Sequence, residues 1–457
     1  MFHRILIANR GEIALRVIRA CREMGIESVA VYSTADQNSL HAQYATQAVC
    51  IGPPAAADSY LNMQNILTAA LNTGCEAVHP GFGFLSENSE FARMCTACGL
   101  EFIGPSGDVM DRLGNKAAAR QLMMQHHVPV VPGSDGPVHS DQEALEVAAR
   151  IGYPVLVKAS AGGGGRGIRT AESPLDLPSA LSAARAEALS CFGDSEVYIE
   201  KLVRAPRHIE FQILADKHGG AVHLGERDCS MQRRRQKLLE ESPGHGITPA
   251  LRRQMGEAAV RAAQAAGYTG AGTIEYIMDS QGSYYFIEMN TRIQVEHPVT
   301  EELTGVDLVR QQIRIAAGLP LGFGQQDVRF DGHVIECRIN AEDPVRGFAP
   351  CPGRVDFLHF PGGCGVRVDS ALYNGYTTSP FYDSMVAKVI VRGATRLEAI
   401  RRMRRALEEM VIEGISTTQE LEHLILYHGD FIRGKYDTSF IEKHLDELVA
   451  MLGSREG

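Results

Sequence analysis

The hydrophobic pattern of the chain changes period most sharply between Tyr284 and Pro298, YYFIEMNTRIQVEHP. Four apolar residues open the stretch, as expected for a strand buried on both faces. Glu288, Asn290, Arg292, Gln294 and Glu296 then take every second position. In an extended chain all five share one side, and Met289, Thr291, Ile293 and Val295 face the other way. Taken alone, this alternation favours a half-exposed strand with a solvated polar face. Buried, the same row is costly unless something fills it. Glutamate and asparagine oxygens suit Mg²⁺, and arginine suits an anion.

The preceding chain alternates strand and helix. ILIAN (5–9) predicts a strand; Ile13, Val17, Ala20 and Met24 fall at helical spacing with Gly25 as a stop; SVAVYS (28–33) predicts the next strand. This is an open α/β start, and it lacks the glycine fingerprint of a dinucleotide fold. EAVHP (76–80) leads into a glycine-rich loop, His79 to Glu87, and FIGPS (102–106) closes the unit. A helix carrying Lys116 follows, then the linker VPVVPGSDGP, then the strand PVLVKAS with Lys158 near its end. AGGGGRG (161–167) joins this strand to IRTA, strand to strand, whereas a Walker loop opens a helix. Such a glycine hairpin can offer backbone N–H groups to phosphates. VYIEKLV (197–203) is apolar except for Glu200 and Lys201, a pair suited to an adenine edge or to an exposed hinge.

RHIEFQIL (207–214) predicts a strand with His208, Glu210 and Gln212 on one face. The run GERDCSMQRRRQK (225–237) reads as an anion pocket or a solvated loop. Thr248-Pro249 starts a helix that ends near Gly267. GTIEYIM (272–278) predicts a buried strand whose one acid, Glu275, stands beside Glu288 if the two strands pair. Two carboxylates that close repel, and a divalent cation relieves this. A helix with Val306, Val309, Ile313 and Ala317 ends at Gly318. HVIECRIN (333–340) places Glu336, Arg338 and Asn340 on one face; VDFLHF, GVRVDS and MVAKVIV predict further strands. Thr395 and Glu398 form a capping box for a helix with Ile400, Met403 and Leu407, and the end, MLGSREG, reads as frayed.

At 457 residues the chain needs more than one core. A net charge of −10 argues against a nucleic-acid surface, although it does not exclude a local anion site. No apolar run reaches spanning length, which predicts no membrane insertion and a cytoplasmic protein. Ten scattered cysteines include one CxxC pair, Cys95 and Cys98, with no second pair to complete a zinc site. Buried thiols in a reducing compartment are the expectation.

Six segments, in order, resemble biotin carboxylases of the ATP-grasp superfamily: IANRGEIALRVIRA, HPGFGFLSEN, KASAGGGGRGIR, ERDCSMQRR, FIEMNTRIQVEHPVTE and ECRINAEDP. The resemblance implies an N-terminal Rossmann-like α/β domain (1–112), an ATP-grasp domain (113–329) with a mobile glycine-loop lid (about 131–203), a C-terminal mixed α+β domain (330–447) and a tail (448–457). It implies ATP contacts at Lys116, Lys158, Gly164, Gly165, Glu200, Lys201, Leu202, Val203, His208, Gln232 and Arg235, with Glu275 and Glu288 also at the nucleotide. Glu275, Glu288 and Asn290 would hold two Mg²⁺ or Mn²⁺ ions. Lys237, Arg292, Gln294 and the Val295 backbone would bind bicarbonate, with Glu296 as its general base and Arg338 facing biotin. The implied reaction is the first half-reaction of acetyl-CoA carboxylase in fatty-acid synthesis. Pyruvate or propionyl-CoA carboxylase, or a non-catalytic nucleotide-binding paralogue, are the alternatives. Implied partners are a separate biotin carboxyl carrier protein, since the chain has no Met-Lys-Met segment, and carboxyltransferase subunits, with a homodimer as the family state. Two positions depart from the family pattern. Arg235 stands where the family reads QRRHQK, which predicts altered ATP affinity, and Ala161 replaces one glycine of the usual run of five.

Overall fold

The computed structural model describes residues 1–160 and 167–453. β1 (Arg4–Ile7), β2 (Glu27–Ser33), β3 (Gln47–Gly52), β4 (Ala77–His79) and β5 (Glu101–Phe102) build an all-parallel sheet ordered β3-β2-β1-β4-β5. α1 (Gly11–Glu23) crosses from β1 to β2 and buries Ile13, Val17 and Ala20 of the four residues its helical spacing marked; the fourth, Met24, caps the helix and is half-buried. Gly25, at φ +71°, takes the left-handed turn that ends it. Glu12 and Arg16 on the same helix are also buried, which requires partners elsewhere in the chain.

β6 (Val155–Ala159), β7 (Ile168–Ala171) and β8 (Val197–Lys201) form a separate antiparallel sheet ordered β7-β6-β8. The glycine run therefore does connect strand to strand. Gly164, Gly165 and Ala161 lie outside the described residues.

The largest sheet is antiparallel. It contains β9 (Arg207–Ala215), β10 (Ala221–Arg233), β11 (Gln236–Ser242), β12 (Gly270–Met278), β13 (Tyr284–Asn290), β14 (His333–Asn340) and two strands at Val366–Ser370 and Met385–Gly393. Its order is β13-β12-β9-β10-β11-β14, then Met385–Gly393, then Val366–Ser370. Ile209, Phe211, Ile213 and Ile274 bury against Met255, Ala258, Ala259 and Ala262 of the helix Pro249–Ala265. Each large apolar side chain fully buried this way contributes roughly 1.5–3 kcal/mol. Because side chains alternate along a strand, the opposite face of β9 carries His208, Glu210 and Gln212, and that face holds the site.

Several expectations are corrected. Residues 225–237 are not a loop: they are β10 and β11, joined by a two-residue turn in which Arg234 and Arg235 have φ +49° and +68°. Positive φ at both turn positions matches the twist of a tight hairpin. The strands tolerate their buried charges because each meets an opposite one: Glu226 with Arg252, Asp228 with Arg207, and Arg227 and Lys237 with Glu210. β13 is an edge strand, so Tyr285 and Ile287 are only half-buried, and the expectation of burial on both faces fails. The strand also stops at Asn290. The Thr291 N–H donates to the Glu87 carboxylate (3.0 Å), and the chain then turns into the helix His297–Thr304, so Arg292, Gln294 and Glu296 do not share a strand face with Glu288. The helix predicted around Val306 begins at Leu308, where Asp307 caps it. At the end of the chain a helix runs from Phe440 to Gly453, so Met451–Gly453 is helical and only 454–457 lie outside the described residues. Among the described residues, no helix is long and apolar enough to cross a membrane.

Candidate active site

Register brings the acids together. β12 pairs with β13 so that Glu275 stands directly opposite Glu288, as the two isolated acids in apolar strands implied. β12 also pairs with β9, setting Glu275 opposite Glu210. Lys237 on β11 reaches over this face. Its ammonium lies 2.6 Å from Glu210 Oε2, 3.4 Å from Glu275 Oε1 and 2.5 Å from Glu296 Oε1. The other Glu296 oxygen, Oε2, accepts from Arg338 at 2.8 Å. Glu296 is the N-cap residue of the helix His297–Thr304, and its carboxylate is clamped between two cations while only 2% of the residue is exposed. Arg338 is anchored in turn by Glu240 (Nε to Oε1, 2.6 Å).

Beneath this layer lies Arg227, fully buried. Its Nε donates to Glu210 (2.5 Å), one terminal nitrogen to Gln212 (2.8 Å) and Thr300 (2.9 Å), and the other to Thr273 (3.0 Å) and Gln294 (2.5 Å). A guanidinium has five N–H donors, and all five are used here. Buried ion pairs repay their desolvation only when hydrogen bonding is this complete.

Gln294 and Asn290 both donate to Glu275 Oε1, at 2.9 and 2.8 Å. Arg292 bonds Glu87 through Nε (2.9 Å) and Asn290 Oδ1 through a terminal nitrogen (3.1 Å). Lys116 lies 3.1 Å from Glu288 Oε2. On the small sheet, Lys158 pairs with Glu200, which is buried. The Lys201 ammonium turns away to the Gly152 and Tyr153 carbonyls (2.9 and 2.8 Å), and the Lys201 and Leu202 N–H groups donate to the Pro132 and Pro154 carbonyls (2.8 and 3.1 Å). Leu202 and Val203 are half-buried just beyond β8, Gln232 is half-buried opposite Lys237 in the hairpin, and Arg235 is exposed at its turn. The Val295 carbonyl is taken by Lys388 (2.8 Å), so its N–H is the group left for a ligand.

The charges hold one another's protonation states. Burial would raise Glu275, but Lys237 and His208 hold it down at about 2. Burial likewise opposes the charge on Glu210, and Lys237 and Arg227 keep it well below the carboxylate range. His208 is pushed the other way. Burial would lower it, yet Glu275, 3.3 Å from Nε2, lifts it to about 9 and makes it an imidazolium at neutral pH. For Lys237, burial is outweighed by acidic neighbours and its pKa lies well above the usual value. Burial keeps the neighbouring Cys229 thiol protonated, so the carboxylates carry that shift. Glu240 is the exception, since burial raises it to about 7 despite Arg338.

Glu275 and Glu288, paired across the strands with Asn290 beside them, offer only oxygen donors. That set fits a hard divalent cation such as Mg²⁺ or Mn²⁺. His208, Glu210 and Glu275 also bring one ligand atom each within 4.8 Å of one another. Cys95 is buried and Cys98 exposed, both free, and neither belongs to a metal-holding group among the described residues.

The expected residues Lys237, Glu275, Glu288, Asn290, Arg292, Gln294, Glu296 and Arg338 thus meet on one face. Sequence reasoning gave no role to Arg227, Glu210 or Glu240. Alternation could not have found Arg227, because β10 is irregular between Asp228 and Met231, and Met231 packs with Leu239 and Cys337 instead of facing the site.

Three family models match in sequence: "Biotin carboxylase, N-terminal domain" over residues 1–110, "Carbamoyl-phosphate synthase L chain, ATP binding domain" over 115–323, and "Biotin carboxylase C-terminal domain" over 336–443. The chain is 55% identical to biotin carboxylase 1 of Bacillus subtilis, covering 97% of this chain and 99% of that one. It is 52% identical to a pyruvate carboxylase subunit from Methanothermobacter thermautotrophicus, covering 97% and 90%. The biotin carboxylase domain of Hydrogenobacter thermophilus 2-oxoglutarate carboxylase, a dimer in complex with MgADP, ADP and bicarbonate, superposes with a TM-score of 0.92 at 50% identity, covering 98% and 99%. Campylobacter jejuni biotin carboxylase in a β,γ-ATP complex gives 0.93 at 45% identity, covering 97% and 99%. Fold and site define an ATP-dependent ligase of the ATP-grasp superfamily. The chain belongs to the biotin carboxylase family.

Proposed function

We propose the following division of labour for the reaction of this family, the ATP-dependent carboxylation of biotin by bicarbonate. The observation that carries it is Glu296, buried with one oxygen on Lys237 and the other on Arg338. A base between two cations suits an anionic substrate, because Lys237, which also holds bicarbonate, lowers the cost of removing its proton. Lys237, Arg292, Gln294 and the Val295 N–H bind bicarbonate, and Glu296 takes its proton. A bicarbonate oxygen then attacks the γ-phosphorus of ATP, the bond to the β-phosphate oxygen breaks, and ADP leaves. The product, carboxyphosphate, breaks to CO₂ and phosphate. That phosphate takes the N1′ proton of biotin, Arg338 stabilises the developing ureido oxyanion, and N1′ adds to CO₂. Lys116, Lys158, the backbone at Gly164 and Gly165, and His208 hold the nucleotide phosphates and ribose. Glu200, Lys201, Leu202 and Val203 meet adenine, and Gln232 and Arg235 belong to the nucleotide site, Arg235 as a phosphate contact. Glu275, Glu288 and Asn290 hold Mg²⁺, which when bound neutralises phosphate charge during transfer.

The division at 1–112, 113–329 with a lid at about 131–203, 330–447 and a tail at 448–457 belongs to the same proposal. So do a biotin carboxyl carrier protein and carboxyltransferase as partners, and a homodimer. The dimeric state of the Hydrogenobacter relative supports the last of these. A reducing, cytoplasmic setting belongs to the proposal; Cys21, Cys75, Cys95, Cys229 and Cys337 are buried as expected, whereas Cys50, Cys98, Cys191 and Cys364 are exposed. Acetyl-CoA carboxylation in fatty-acid synthesis is the proposed pathway. The identity with the Methanothermobacter pyruvate carboxylase chain favours pyruvate as the second reading of the final acceptor. The test supplies MgATP and labelled bicarbonate with and without free biotin. ATP cleavage stimulated by biotin, with acid-labile label on biotin, is the expected result; cleavage indifferent to biotin and bicarbonate would contradict it.

A further inference from the structure

Behind Glu296 lies a second buried cation, Lys388, on the strand Met385–Gly393 and fully buried. It is the direct cross-strand partner of Arg338 on β14, so both side chains leave the sheet on the same face. The two cations grip consecutive residues: Arg338 holds the Glu296 carboxylate and Lys388 donates to the Val295 carbonyl at 2.8 Å. Two like charges directly opposite on neighbouring strands are unfavourable unless acids offset them. For Lys388 the nearest offset comes from α1, where Glu12 Oε1 lies 3.1 Å from the ammonium, and Asp369, its partner on the strand Val366–Ser370, adds to it. Glu336, two residues before Arg338 on the same face, is buried, and neither of its oxygens finds a hydrogen-bond partner among the described residues. Lys388 is thus where three distant parts of the chain meet: the first turn of α1, the loop before the helix His297–Thr304, and the strand Met385–Gly393.

We infer that Lys388, seated on Glu12, is a positioning residue that fixes the Val295–Glu296 backbone for the bicarbonate step. The inference rests on the reading of Glu296 as the base. Arg338 alone fixes where the Glu296 carboxylate lies, but not how the peptide that carries it is turned. Arg292 and Gln294 precede this peptide in the same loop, and the N–H of Val295 belongs to the residue whose carbonyl Lys388 holds. Releasing that carbonyl frees the peptide to rotate while the sheet below remains intact. A misplacement of about 1 Å at a reacting group costs on the order of 100-fold in rate. The nucleotide contacts proposed at Lys116, Lys158 and residues 200–203 lie on other elements, so ATP binding is not expected to change.

The test uses the full chain. Lys388→Met is expected to lower kcat for bicarbonate-dependent ATP cleavage roughly 100-fold and to raise the KM for bicarbonate, with the KM for ATP within about twofold of wild type. Lys388→Met leaves the Glu12 charge buried and destabilises the fold, so the deciding variant is the double substitution Glu12→Gln with Lys388→Met. Its thermal midpoint is expected to recover towards wild type while kcat stays low. Recovery of kcat together with stability would make Lys388 merely structural and overturn the inference. Unchanged kcat and bicarbonate KM in a folded variant would do the same. Wild-type protein in the same assay isolates the underlying reading: if it shows no bicarbonate-dependent cleavage, it is the function that fails and not the placement of Lys388.

Discussion

Replacing Arg227 by lysine keeps the charge and removes the geometry, which makes it the sharpest test of how the site is held. Five hydrogen bonds leave the guanidinium, to Glu210, Gln212, Thr300, Thr273 and Gln294. An ammonium has three donors, so at least two of these acceptors lose their partner. Each buried acceptor left unmet costs roughly 1–3 kcal/mol, giving about 2–6 kcal/mol for Arg227→Lys. The loss is expected to centre on Gln294, the acceptor that lies in the loop leading to Glu296 rather than in the sheet. Urea unfolding reads the stability change, and bicarbonate-dependent ATP cleavage read alongside it is expected to fall. A variant within about 0.5 kcal/mol of wild type, a difference usual for a neutral surface change, would show that charge alone is what the site needs from Arg227 and would refute the saturation argument.

Glu296→Gln is expected to lower bicarbonate-dependent turnover by about 10²–10⁴-fold, the usual contribution of a general base, while nucleotide affinity measured by calorimetry stays near wild type. Burial raises Glu240 from 4.5 to about 7, so its neutral form is favoured in the fold. Stability from this group is therefore full below about pH 4.5 and is lost as pH rises through about 7. Glu240→Gln should flatten that loss in urea titrations across this window, and a slope as steep as wild type would contradict the assignment. Arg235 is exposed at the hairpin turn. Changing it to histidine is expected to lower the KM for ATP, and an unchanged KM removes Arg235 from the nucleotide site.

Strand identity was legible wherever side-chain period matched burial. RHIEFQIL announced β9 and its polar face, and two apolar strands with one acid each announced the pairing of Glu275 with Glu288. Period misled at one place and charge density at another. Alternation from Glu288 to Glu296 suggested one continuous strand, but Asn290 pairs with Thr273 in the last rung of the ladder, and Glu87 from a loop far away in sequence takes the next N–H. Arg292, Gln294 and Glu296 still reach the site, through loop and helix-cap geometry that no repeat encodes. Residues 225–237 read as an anion pocket or a solvated loop because their charges are dense. Their burial depends on partners far away in sequence, such as Glu210 and Gln294 for Arg227 and Glu275 and Glu296 for Lys237. The resemblance to biotin carboxylases pointed to Lys237, Arg292, Glu296 and Arg338 as a set. It carried no information on the groups behind them, Arg227, Glu240 and Lys388, which became visible only as side chains bonded in the fold.

The central claim is that an oxygen of bicarbonate attacks the γ-phosphate under the control of Glu296. Running the reaction with ¹⁸O-labelled bicarbonate and biotin, then weighing the inorganic phosphate by mass spectrometry, tests this most directly. Cleavage through carboxyphosphate leaves one bicarbonate oxygen in each phosphate, so phosphate carrying a single ¹⁸O atom is predicted. Phosphate free of ¹⁸O, with ATP consumed at the same rate, would mean that water and not bicarbonate is the nucleophile.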